Sequence, residues 1–175
     1  MTIYVLFVFF LQKESKRLTQ VIEHQQRDIP RLKACVSTSV VAFKAHFKYF
    51  DDDKLTVSVD KVIKWNSAEF NQGRAYDTST GEFTCVTEGL YAFKVHVQGN
   101  QDAKVCLNLQ LNGLRKVGLY KDRLDQVDDA SMSYVGELKR GDKVKVFTSC
   151  ESTLYQISFN YFSGYLIRSA DCNTP

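Results

Sequence analysis

Five cysteines, three histidines and several clustered aspartates are the side chains here that could bond covalently, move protons or hold a cation. His24, His46 and His96 stand far apart, and none forms a Ser-His-Asp or Cys-His order beside a glycine elbow. No phosphate-cradling glycine loop is present either, so the residues support no enzyme. Cys35, Cys85, Cys106, Cys150 and Cys172 contain no Cys-x-x-Cys pair, which argues against a zinc cluster or a dithiol redox motif. An odd, dispersed set fits one or two disulfides plus a thiol in a secreted protein. It equally fits buried, reduced cysteines packed as small hydrophobes. The run Asp51-Asp52-Asp53 lacks the spacing of a calcium loop and reads as a solvated turn. Trp65, the single tryptophan, reads as a core or interface side chain rather than a ligand-stacking surface.

The elements that position these residues show a period of two. Val41, Phe43, Ala45 and Phe47 share one strand face, with Lys44, His46 and Lys48 opposite. Leu55, Val57 and Val59 form a second such set; Tyr91, Phe93, Val95 and Val97 a third; and Val105, Leu107, Leu109 and Leu111 a fourth. Asn112-Gly113 supplies the two positive-φ residues of a type I′ hairpin turn. Further strands are read at 132–138 and 144–148, around a turn at 139–142, and a long last strand at 154–167. Many short strands, glycine turns and no helical period in the body make an all-β sandwich. With 44% hydrophobic and 13% aromatic residues among 175, that sandwich has material for a sizeable core.

The first 34 residues differ. They hold six Lys/Arg against three acids, which is the entire net charge of +3. The body is therefore neutral, and without a basic stripe it offers nothing to nucleic acid. Residues 1–11 carry an apolar run too short for the roughly twenty residues a membrane-spanning helix needs. Its length suits the hydrophobic region of a signal peptide, an atypical or truncated one because neither a preceding basic residue nor a small-x-small cleavage site accompanies it. Residues 12–34 read as a helical stem. Leu18, Ile22, Gln25, Ile29 and Leu32 make a short heptad seam, or equally the apolar face of a single amphipathic helix. Pro30, with no amide to donate, limits continuous helix. All nine glycines lie at or after Gly73, so there is no collagen stalk. The globular part is read as 35–175.

One stretch is specific. Phe70-Asn71-x-Gly73-x-x-Tyr76-Asp77, Thr80-Gly81-x-Phe83-Thr84 and Gly89-x-Tyr91-x-Phe93 follow an early Val41-Ala42-Phe43 and precede Leu138, Gly141-Asp142 and Phe162-Ser163-Gly164-Tyr165-Leu166. Over about residues 38–168 this order resembles the globular head of the complement C1q family. Val86-Thr87-Glu88 departs from it where many members carry a proline.

The resemblance implies a ten-stranded jelly-roll sandwich of the C1q and tumour-necrosis-factor type. It implies a homotrimer whose aromatic-rich faces are buried between protomers, and a secreted, extracellular binding module rather than an enzyme. The partners it implies are glycan, microbial-surface or protein ligands in innate immunity. The alternative is a secreted signalling ligand, cytokine-like or synapse-organiser-like, that clusters one receptor. No cofactor is required. Calcium is the one candidate ion, because Val127-Asp128-Asp129-Ala130-Ser131 resembles a loop that donates a calcium ligand in some members. Asp128 is the expected ligand with Asp122, and with Asp125 and Asp129 as helpers, against the plainer reading of a solvated acidic loop. The resemblance also implies a Cys106–Cys150 bridge, a buried Cys85, and a Cys35–Cys172 bridge joining the outer ends of neighbouring first and last strands. Arg140-Gly141-Asp142 spells the integrin-binding tripeptide, but Gly141-Asp142 is the family's ordinary strand-to-strand turn.

Overall fold

A computed structural model of the chain describes residues 2–37, 40–48, 54–99, 104–122, 128–155 and 159–170. Two units separate by their internal contacts, one ending at Thr38 and the other starting at Ser39.

The first unit is one helix, α1 (Thr2–Ser37). It joins the apolar run and the polar stem without interruption and passes through Pro30, which the sequence reading treats as a limit. A proline inside a helix forfeits one backbone bond, and the bonds of the flanking turns carry the helix past it. Leu18, Ile22 and Ile29 are about half exposed along it. No helix among the described residues is long and apolar enough to cross a membrane.

The second unit is a sandwich of two sheets. Its strands are β1 (Ala42–His46), β2 (Lys54–Val57), β3 (Ser67–Gln72), β4 (Tyr76–Asp77), β5 (Glu82–Thr84), β6 (Gly89–Gly99), β7 (Val105–Leu111), β8 (Leu114–Lys121), β9 (Asp128–Leu138), β10 (Lys143–Thr148), β11 (Ser152–Tyr155) and β12 (Tyr161–Ser169). One sheet runs β2-β11-β6-β12-β1-β3, with β9 on the other edge of β6; the second runs β4-β5-β10-β7-β8. The fold is the expected jelly roll, with twelve strands among the described residues instead of ten. Part of the excess is short pieces such as the two-residue β4. The rest comes from the last strand, which is divided. Asn160, fully buried, accepts from the Gln98 amide and donates to Gln98 O and Tyr155 O. β11 then pairs with β2 while β12 turns to β1 and β6.

Period-two alternation sends one face of each strand into the gap between sheets. Val41, Phe43, Ala45 and Phe47 are all buried, as are Tyr91, Phe93, Val95 and Val97. Aromatic rings fill the centre: Phe43 stacks on Tyr76 at 4.8 Å and meets Phe162 edge-on at 4.9 Å, while Phe83 meets Phe93 edge-on at 5.2 Å. Trp65 is fully buried among them, 5.4 Å from Phe162. Gly164 makes this closure feasible. A Cβ there would lie 2.5 Å from the Phe93 ring and 2.7 Å from the Phe43 ring. Asn112 and Gly113 both take positive φ, as the type I′ turn requires.

Cys106 on β7 is bonded to Cys150 just past β10, across 44 residues of chain. Cys85 is a buried thiol. The expected Cys35–Cys172 bridge lies outside the described residues, although β1 and β12 are antiparallel neighbours.

Two stability measurements check this packing. Gly164→Ala is expected to lower unfolding stability in urea by about 1–3 kcal/mol, the cost of overpacking a closed core; an unchanged midpoint would mean the rings yield freely. Replacing Cys106 and Cys150 together by Ser is expected to cost roughly 4 kcal/mol in the chain-entropy account of a loop this long.

Candidate functional site

With one face of the first sheet committed to the core, its other face is the broad surface the fold leaves to solvent. Hydrogen-bond register orders that surface into rows. Ala42, Tyr165, Ala92 and Val135 lie abreast on β1, β12, β6 and β9. Lys44, Ser163, Lys94 and Ser133 form the next row, and His46, Tyr161, His96 and Ser131 the one after.

The first row is apolar and open. Tyr165 is 54% exposed and Val135 58%, and Val40 and Ile167 beside them are similarly exposed. Large side chains left this open in a contiguous group mark an interaction surface rather than a casual exposed residue. The third row is aromatic and basic. His96 stacks on Tyr161 at 5.5 Å, and the Lys44 ammonium stands 5.7 Å over the same ring. Lys44 also grips Glu69 at 2.6 Å, and this hydrogen bond and charge hold the Glu69 carboxyl below its ordinary value. One sheet face therefore joins an apolar zone to a cationic, aromatic one.

The acidic loop does not converge among the described residues. Asp122 pairs with Lys104 at 3.6 Å, and Asp129 accepts from Gln98 Nε2 at 3.0 Å. Asp125 and the side chain of Asp128 lie outside the described residues. No group of three or more His, Cys, Asp or Glu able to hold a metal ion occurs among the described residues. His24 lies on α1, whereas His46 and His96 lie on β1 and β6.

Arg140-Gly141-Asp142 is built into a structural joint. Asp142 Oδ1 accepts from Asn112 Nδ2 and Oδ2 from the Lys139 amide, both at 2.8 Å. The Arg140 Nε donates to Val86 O, and the backbones of Gly141 and Asp142 bond to Cys85. Asn112 Oδ1 in turn accepts from the Lys143 amide, so the type I′ turn and this turn clamp each other. The Asn112 and Lys139 hydrogen bonds hold the Asp142 carboxyl below the usual carboxylate range.

This architecture defines a jelly-roll sandwich with an apolar outer row, and comparison with known proteins places it. The C1q domain model matches residues 42–167; the chain belongs to the C1q-domain family. One complement C1q subcomponent protein of Rattus norvegicus is 32% identical over 108 residues, covering 61% of this chain and 43% of that protein. The chain thus spans less than half the length of that relative. The globular domain of zebrafish complement 1qA superposes with a TM-score of 0.59 at 23% identity, covering 74% of this chain and 98% of that one. Eiger TNF from S. frugiperda gives 0.58 at 15% identity, over 78% of this chain and 98% of that one. At such identities the two structures speak for the fold alone. The domain is a C1q-like recognition or signalling module.

The sequence reading did not name Tyr165, Val135 or Val40 as surface. The available signal was alternation: each is one residue away from a position buried in or packed against the core.

The Asp142 joint gives a pH test. A carboxyl held low in the folded state contributes stability above the ordinary carboxylate range, and that contribution disappears as pH falls through the folded value. Asp142→Asn is expected to melt below the parent protein at neutral pH, with the gap narrowing below about pH 4. A gap constant with pH would assign the residue to turn geometry alone.

Proposed function

We propose that the chain is a secreted, non-enzymatic recognition head that works as a homotrimer and binds glycan, microbial-surface or protein ligands outside the cell. The exposed apolar row that contains Tyr165 and Val135, with Val40 beside it, carries this reading. Aromatic and aliphatic side chains at the centre of an interface supply buried area at low entropic cost. A threefold ring of such faces leaves none of them to solvent. Membership of the family supports a binding or signalling role over catalysis. The half-exposed seam of Leu18, Ile22 and Ile29 on α1 fits a stem whose copies associate. Three weak sites on one rigid body raise avidity without new contacts. Calcium at Asp128 belongs to this proposal and rests on the resemblance of its loop.

The test is native mass by light scattering, with calcium and with chelator. A trimer in both conditions is expected if the apolar row suffices, and a trimer that loosens without calcium assigns the ion a structural place. Tyr165→Arg combined with Val135→Arg is expected to yield folded monomer. A parent protein that is monomeric throughout would overturn the avidity mechanism.

A further inference from the structure

The outer face of the second sheet carries a feature separate from the apolar row of the first. On β7 the core takes Leu107 and Leu109, so Asn108 faces the other way, yet it is only 6% exposed. Its Oδ1 is cut off from solvent and has no hydrogen-bond partner. Buried carbonyl oxygens without a donor are uncommon in native folds, because the lost hydration is not replaced.

The reason lies across the ladder. Asn108 pairs with Gly118 of β8, and the missing side chain leaves a notch in the outer face. Asn108 Oδ1 is 2.9 Å from the point a Cβ on Gly118 would occupy, and the Arg115 guanidinium crosses that same space. Arg115 thus lies in the notch, over an acceptor to which it makes no hydrogen bond. No ion pair reaches Arg115 or the adjacent Lys116 among the described residues. Tyr120, two residues beyond Gly118 on the same face, is 65% exposed.

We propose that this notch is a binding site for a pyranose bearing a carboxylate. Arg115 swings outward and takes the carboxylate in its planar fork, a geometry the guanidinium matches with two parallel bonds. The vacated notch admits a sugar hydroxyl, which donates to Asn108 Oδ1 and satisfies it. The exposed Tyr120 ring supplies a flat apolar wall. A few convergent polar groups beside an aromatic surface are the ordinary make-up of a small-ligand site. This deepens the recognition-head reading by naming a ligand class, but the site lies within one protomer.

The experiment is calorimetric titration of the full chain with trigalacturonate, with sialyllactose and with sulfated lactose. Binding of at least one carboxylated sugar is expected, its identity separating a uronate from a sialate source. Gly118→Ala, which fills the notch, and Arg115→Ala are each expected to weaken it tenfold or more. Arg115→Lys keeps the charge and loses the fork, and is expected to weaken binding about fivefold even if the other variants fail to fold. Lys116→Ala is expected to stay within twofold. Silence from both carboxylated sugars, equal binding of sulfated lactose, or unchanged binding in Arg115→Lys would overturn the site. A trimer that binds no sugar leaves assembly intact, and a sugar-binding monomer leaves the site intact.

Discussion

The gap between two β-sheets must be filled, and here aromatic rings fill it. Phe43, Phe83, Phe93 and Phe162 interlock with Tyr76 and Trp65, each within 4.8–6.1 Å of a neighbour. Rings of this size bury large areas, but only in offset or edge-on arrangements that leave little tolerance. Gly164 is part of that arrangement as an absence of side chain: Phe43 and Phe93 close over it from both sides. Once the rings are set, strand order and register are no longer free, because a one-residue slip would turn every ring outward.

The outer surfaces follow from the same constraint. Since Phe43, Phe93 and Phe162 point inward, Ala42, Ala92 and Tyr165 must point outward, and the ladder lines them up with Val135. The apolar row is thus the complement of the core. Across the sandwich, Leu107 and Leu109 point inward and force Asn108 out against Gly118.

Much of this was legible in the sequence. The alternation of Val41-Phe43-Ala45-Phe47 named the core face of β1, and Asn112-Gly113 named the turn between β7 and β8, because both are local consequences of strand and turn geometry. The spacing of the glycines and aromatics named the family. Two local inferences did not survive contact with the rest of the chain. The continuous last strand is divided at Asn160, whose hydrogen bonds reach Gln98, far away in sequence. Pro30 does not stop α1, since one lost bond is small beside those that remain.

The sequence by itself determined the fold class, the core faces of β1, β6 and β7 and the Asn112-Gly113 turn, since each depends on periods and conformational limits spanning a few neighbours. Tertiary structure alone decided which residues stand side by side. Asp142 meets Asn112, Asn160 meets Gln98, and Arg115 lies over a notch beside Asn108. These encounters are set by register between strands distant in the chain. A single sequence encodes each strand's pattern, whereas alignment across strands is fixed only when the rings interlock.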